Sequence, residues 1–141
     1  GLTDRLYGRL QSVLRSAARL VLMLPRCSSV SEVMRRDLHW LAFPHRVTYK
    51  ICVLVFKCQN NLAPEYLRRH CVPTSSVSGR SQLRSASTGM LLVPKTRTKR
   101  LAGRGFFFSA PAAWNSLPAG LRTETSLGTF KRNLKSHLFK L

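Results

Sequence analysis

Polymerase and nuclease chemistry by two metal ions needs clustered carboxylates, because paired Mg²⁺ is held by hard anionic oxygens. The 141-residue chain has five acidic residues, Asp4, Glu32, Asp37, Glu65 and Glu124, and none stands in an Asp-Asp pair or a strand-borne dyad. Cys27, Cys52, Cys58 and Cys71 contain no CxxC pair. Cys52 and Cys58 are six positions apart, about 240° around a helix axis, an arrangement ill suited to sharing one tetrahedral ion. They read as reduced, partly buried thiols of an intracellular protein. His39, His45, His70 and His137 have no ligand spacing, and His39 beside Trp40 reads as a packed or hydrogen-bonded imidazole. Gly103, Arg104 and Gly105 form a lone GxG, and no GxSxG elbow occurs. The residues point to no catalytic group, no metal site and no cofactor in this chain.

The chemistry that remains is cationic. Against five acids stand 24 Lys and Arg, a formal net charge of +19, so at most five cations find an internal carboxylate and the others repel one another until a polyanion neutralises them. Lys95, Arg97, Lys99, Arg100 and Arg104 place five of them within ten residues. On an extended segment alternate side chains share a face, about 6.6 Å apart, close to the phosphate spacing of an extended nucleic-acid strand. Thr96 and Thr98 add hydroxyl donors. Arg46, Lys50 and Lys57 fall within about 40° of arc at helical spacing, and Lys131, Arg132 and Lys135 form a third group. These residues are the candidate nucleic-acid contacts, with solvated charged loops as the plainer reading. Trp40, Trp114, Phe106, Phe107 and Phe108 are core candidates before they are stacking candidates, with Phe107 the one to watch.

The elements that must position these side chains follow from pattern. Leu6, Leu10, Val13, Leu14, Ala17 and Val21 gather on one side of a helix over 2–21 whose back carries Arg5, Arg9, Arg15 and Arg19, and Pro25 ends it. Ser29 with Glu32 is a capping-box signature for a second helix from Val30 to about Trp40. A third helix, from Pro44 to about Asn60, has Val47, Ile51, Leu54, Val55 and Cys58 on one face and Tyr49, Cys52 and Phe56 on a flank. It is therefore expected at the centre, with Asn61 as the residue that turns the chain and Pro64 opening a short helix. The Ser-rich stretch 72–88 reads as a hinge between a helical part, 1–71, and a second part, 89–141. There, Met90 to Val93 and Gly105 to Ser109 suit the two strands of a hairpin with a basic tip. A Pro-initiated turn of helix carrying Trp114 stops at Pro118, and Leu127, Phe130, Leu134, Leu138 and Leu141 share an arc of about 80° on a last helix. The expected fold is mainly α with a small β-hairpin or ribbon (α+β), amphipathic helices around a central buried helix, in one compact unit whose 44% apolar content supplies a core.

The chain opens at Gly1 and reads as a fragment of something longer. No signal peptide is visible, and the longest apolar runs, Leu20 to Leu24 and Ile51 to Phe56, are far below the roughly 18 residues that span a bilayer. The expectation is an intracellular protein of nucleus and cytoplasm, not secreted, without membrane or small-molecule partner. Binding of the arginine-backed first helix to anionic membranes stands as the competing reading.

Five blocks together carry a resemblance. They are Leu10 to Val21 with Leu14, Ala17, Ala18, Arg19 and Leu20; Leu38, His39, Trp40 and Leu41 with Lys50; Leu62, Ala63, Pro64, Tyr66 and Leu67; Val93, Pro94, Lys95, Thr96 and Arg97 with Gly103, Arg104 and Phe106; and Ala110, Pro111, Trp114, Asn115, Ser116, Leu117 and Pro118 leading into Ser126 to Phe139. In this order they resemble the far C-terminal region of LINE-type (non-LTR) retrotransposon reverse transcriptases, with Ala42 and Gly105 departing from the family's pattern. The resemblance implies a parent polyprotein with endonuclease and RNA-directed DNA polymerase domains upstream, acting in target-primed reverse transcription. For this chain it implies a non-catalytic module that holds template RNA or target DNA and adjoins the upstream reverse transcriptase domain. A protein-docking scaffold for the polymerase thumb and a decayed, non-functional remnant are the alternative readings.

Overall fold

Asp4 begins the first helix, α1 (Asp4–Val21), with its carboxylate in the first turn where the helix dipole favours it. The chain leaves α1 through Met23 at φ +53°, and the Met23 and Leu24 N–H groups donate to Leu20 O and Arg19 O, a Schellman closure completed before Pro25. These coordinates are a computed structural model that describes residues 3–79, 88–95 and 105–141.

The second helix, α2 (Ser31–Arg36), is shorter than the expected run to Trp40. Its N-cap is Val30 and no side chain caps it, so the Ser29/Glu32 capping box does not form. Beyond Arg36 the chain turns through Asp37 and through His39 at φ +50°, and Leu38 and Trp40 fall back on Ala18, Val30 and Met34 together with Leu14 and Leu24. Burial of these apolar side chains outweighs one more turn of helix. His39 itself is exposed, so the expected packed imidazole is corrected.

The third helix, α3 (Phe43–Gln59), starts with Pro44 in its first turn, and Gln11 of α1 accepts the Phe43 N–H at 2.7 Å. It is central, as expected. Cys52, Val55, Phe56 and Cys58 are buried, and α1 together with the later helices Glu65–Arg68, Phe106–Asn115 and Leu127–Phe139 packs on it. Asn61 sits at φ +58° while the Leu62 N–H donates to Lys57 O at 2.8 Å, a second Schellman closure at the position the sequence indicates. Pro64 then caps α4 (Glu65–Arg68).

The hairpin is not formed. Thr74–Ser76 is one 3₁₀ turn, and Leu91 makes a single antiparallel bridge, to Pro73 rather than to residues 105–109. Of the expected strand Gly105 to Ser109, Gly105 is the N-cap and the rest belongs to α5 (Phe106–Asn115), which begins five residues before the Pro111 expected to initiate it. A short apolar run cannot be assigned to helix or strand by periodicity alone. Here Phe106, Ala110, Ala113, Trp114 and Leu117 line up at helical spacing against the core, and that burial decides the matter. Pro111 inside the helix deprives Phe107 of one N–H donor and is itself buried. The chain continues through α6 (Ala119–Arg122) to α7 (Leu127–Phe139), where Phe130, Leu134 and Leu138 are buried and Leu141, beyond the helix, is exposed.

One cluster unites residues before and after the Ser-rich stretch, from Leu41 and α3 to Trp114, Leu121 and α7. At its centre Phe56 stacks on Phe130 at 4.5 Å between centroids, and Trp114 lies 5.6 Å from Phe130. No described helix is long and apolar enough to cross a membrane.

Candidate nucleic-acid interface

The turn after α2 and the first two turns of α3 build a basic, aromatic cleft. Ala42 leads the chain into α3, so Arg46 lies one turn in and reaches back. Its Nε donates to Leu41 O at 3.2 Å and its guanidinium lies 5.4 Å from the Trp40 ring centroid. Held on one side by a carbonyl and on the other by an aromatic face, the group is preorganised, and its terminal nitrogens remain as donors. Lys135 of α7 comes to the same place, because Phe130, Leu134 and Leu138 dock α7 on α3 and turn the next row outward. Arg46, Lys135, Trp40, Tyr49, His39, Leu38 and Leu41 together line a shallow cleft of about 380 Å³. Arg46 and Lys135 form no ion pair, and no carboxylate lines the cleft.

Of the other candidate cations, Lys50 is exposed and Lys57 half-buried on the Arg46 stripe of α3, which extends over about 16 Å of helix at 1.5 Å per residue. On α7, Lys131 is half-buried and Arg132 exposed. Lys95 is exposed at the end of a described segment, while Arg97, Lys99, Arg100 and Arg104 lie outside the described residues. The structure thus brings Arg46 and Lys135 together and places Lys50, Lys57, Lys131 and Arg132 along the same two helices. Among the described residues two carboxylates are engaged by cations, Asp37 by Arg36 at 2.7 Å and Glu65 by Arg68. The Arg36 contact holds the Asp37 carboxyl below, and the Arg36 guanidinium above, its usual range.

Sequence reasoning understated Trp40 and Tyr49. Both read as apolar packing residues, and both do pack, yet each keeps part of its ring on the cleft. A Trp six residues before an Arg, across a helix start, follows no simple period, so no pattern signals the pair.

The other aromatic candidates are structural. Trp114 is buried and donates from Nε1 to Gly89 O at 2.8 Å. Asn115 beside it accepts the Leu91 N–H and donates to Leu91 O, both at 2.8 Å, while Arg122 Nε donates to Thr88 O at 2.9 Å and its Nη1 to Leu117 O. The Trp-Asn pair of the resembling block is therefore a clamp on residues 88–91. Gly89 passes so close, at φ +67°, that a Cβ there would lie 3.3 Å from Arg122 O. Phe107 is half-buried with its ring 6.4 Å from His70, and Phe106 packs against the core.

A larger groove of about 440 Å³ runs between α1, α2 and the end of α7, past Tyr7, Gln11, Met34, Leu138 and Phe139. Its wall carries charges of both signs, Arg15 and Arg35 with Glu32, whereas the smaller cleft is lined by cations without a carboxylate. All four cysteines are free, with Cys52, Cys58 and Cys71 buried. Burial pushes the Cys52 and Cys71 thiols up to about 12 and raises Cys58 as well, so these sulfurs stay protonated at neutral pH. Among the described residues no three of His, Cys, Asp and Glu converge to hold a metal ion. Comparison of the chain with protein-family models, curated proteins and solved structures gives no match.

Proposed function

We propose that this chain is a non-catalytic nucleic-acid-binding module, of the kind its resemblance to the C-terminal region of non-LTR retrotransposon reverse transcriptases implies. It grips template RNA or target DNA through phosphates, beside an upstream reverse transcriptase domain of the same polyprotein. The observation that carries this reading is the cleft in which Arg46 and Lys135, from different helices and free of any carboxylate, flank the exposed parts of Trp40 and Tyr49. Phosphate fits the two cations, and an unstacked base fits the aromatic faces. The formal charge of +19 supplies the long-range attraction.

Gel-shift titration against single-stranded RNA, duplex DNA and an RNA–DNA hybrid at a series of salt concentrations tests it. With about six phosphates neutralised, log affinity falls with log salt at a slope near −5. Arg46→Gln and Lys135→Gln each reduce that slope by about one. Trp40→Ala weakens single strands more than duplex, since stacking contributes about 1–3 kcal/mol per base. Salt-independent affinity, or variants indistinguishable from the parent, overturns the reading.

A further inference from the structure

The helix α1 carries two apolar seams, and the body of the protein covers one. Tyr7, Gln11, Leu14 and Ala18, spaced 4, 3 and 4, face inward. Tyr7 meets Phe43 edge-on at 5.9 Å, Gln11 accepts the Phe43 N–H, Leu14 packs on the small core cluster and Ala18 is fully buried. One position earlier at every step run Leu6, Leu10, Val13 and Ala17, continuing to Leu20, spaced 4, 3, 4 and 3. This is the a/d repeat of a helix–helix seam, confined to about 80° of arc and rotated about 100° from the covered one. It is open. Leu6 is 40% exposed, Leu10 37%, Val13 67% and Leu20 80%, with Ala17 half-buried between them. Scattered exposed apolar residues need no explanation, whereas a contiguous row in heptad register over about four turns of helix does.

Charge identifies what covers it. Arg5 and Arg9 border the open seam on the side away from the body, both exposed and neither in an ion pair, and the sole carboxylate on the helix is Asp4. A second copy of a +19 chain would bring like charge to that border. Regular 3.5-residue spacing, with small Ala17 between Val13 and Leu20, suits interdigitation with another helix, whereas a lipid surface selects no register. From this we infer that α1 docks an amphipathic helix of a partner protein, whose own apolar a/d seam is flanked by Asp and Glu facing Arg5 and Arg9. The inference is independent of the cleft on α3 and α7.

The probe is a synthetic peptide of roughly three heptads with Leu at a and d and Glu at e and g, titrated by fluorescence anisotropy into the whole chain. A charge-matched peptide with Ser at a and d, and phosphatidylserine vesicles, are the comparison arms. The Leu peptide binds saturably at one per chain and at least about tenfold tighter than the Ser peptide, the difference expected from burying several leucines. Val13→Asn with Leu20→Asn, both solvent-facing and neutral, weakens the Leu peptide at least about tenfold through lost burial and amides left unpaired in the seam, and leaves circular dichroism and RNA affinity unchanged. If the double variant loses helix, Val13→Ala with Leu20→Ala provides the same comparison with a smaller loss. Equal binding of the two peptides, capture by vesicles in preference to the Leu peptide, or a dimer of the parent chain that the double variant abolishes overturns the proposal. Loss of RNA binding alone, with the peptide still bound, counts against the cleft and not against the seam.

Discussion

The two longest helices, α1 and α3, differ by one residue in length and invert the usual link between amphipathicity and burial. The more sharply two-sided of them, α1, buries Ala18 alone, while α3, apolar around most of its circumference, buries four residues and receives α4, α5 and α7. A helix with a narrow polar stripe has nowhere to go except the centre of a domain, and α3 goes there. A helix with a wide apolar face and an arginine back has more apolar surface than one neighbour covers. The apolar side chains of α1 are thus divided between an inward seam and an open one, whereas most of those on α3 are at least partly buried in the fold.

The largest test of this contrast is stability. Phe56→Ala removes the ring that stacks on Phe130 at the centre of the main cluster and is expected to cost about 3–5 kcal/mol in urea denaturation. Val13→Ala on the open seam changes stability by no more than about 0.5 kcal/mol, as substitutions at solvent-facing positions do. A comparable loss at both positions would mean that the α1 seam is covered within the chain itself.

A second test compares the thiols of the two regions. Cys27, beyond the end of α1, is exposed, while Cys52 in the middle of α3 is pushed up to about 12 by burial, from the 9.0 of an accessible thiol. Between pH 9 and 12 the unfolded chain releases the Cys52 proton and the folded chain keeps it. Its contribution to stability is therefore intact below pH 9 and is lost as pH rises toward 12, by up to about 1.4 kcal/mol per pH unit. Cys52→Ala makes the alkaline decline in stability shallower than in the parent chain. In the native protein at pH 8, a thiol reagent is expected to titrate Cys27 and to reach the three buried cysteines only on unfolding. An alkaline transition as steep in the Cys52→Ala variant as in the parent chain would remove Cys52 from the account.

Legibility followed the same division. The central place of α3, its end at Asn61, the start after Pro64 and the docking row Phe130, Leu134 and Leu138 were readable, because each depends on local chemistry: a proline, a residue tolerant of positive φ, or a helical period. The strand expected at 105–109 failed because a run of three Phe residues fits either element, and what made it helical is the α3 surface that receives Phe106, Ala110 and Trp114. The cationic stripe on α3 was legible as a period. Its meeting with Lys135, and the turn that lays Trp40 beside Arg46, depend on helix packing and on His39 in a left-handed conformation, which no spacing encodes. The open α1 seam was legible as an apolar face but not as an uncovered one, since sequence states which residues seek burial and not how much neighbouring surface exists.

The smallest expected effect separates a local rule from its tertiary override. Ser29 and Glu32 have the residue types and spacing of a capping box, and a formed box loses about 0.5–2 kcal/mol when its Ser becomes Ala. In the structure Val30 occupies the cap position with αR dihedrals and is buried with Ala18 and Met34, while Ser29 is exposed and caps nothing. Packing Val30 beneath α1 fixes where the helix begins, and the hydroxyl one residue earlier cannot reach the N–H groups it would have satisfied. Ser29→Ala is accordingly expected to change stability by less than about 0.5 kcal/mol, whereas Val30→Ala, which opens the small cluster on which α1 rests, costs more. Measured side by side in urea, a larger loss at Ser29 than at Val30 would restore the capping box and place the start of α2 one residue earlier.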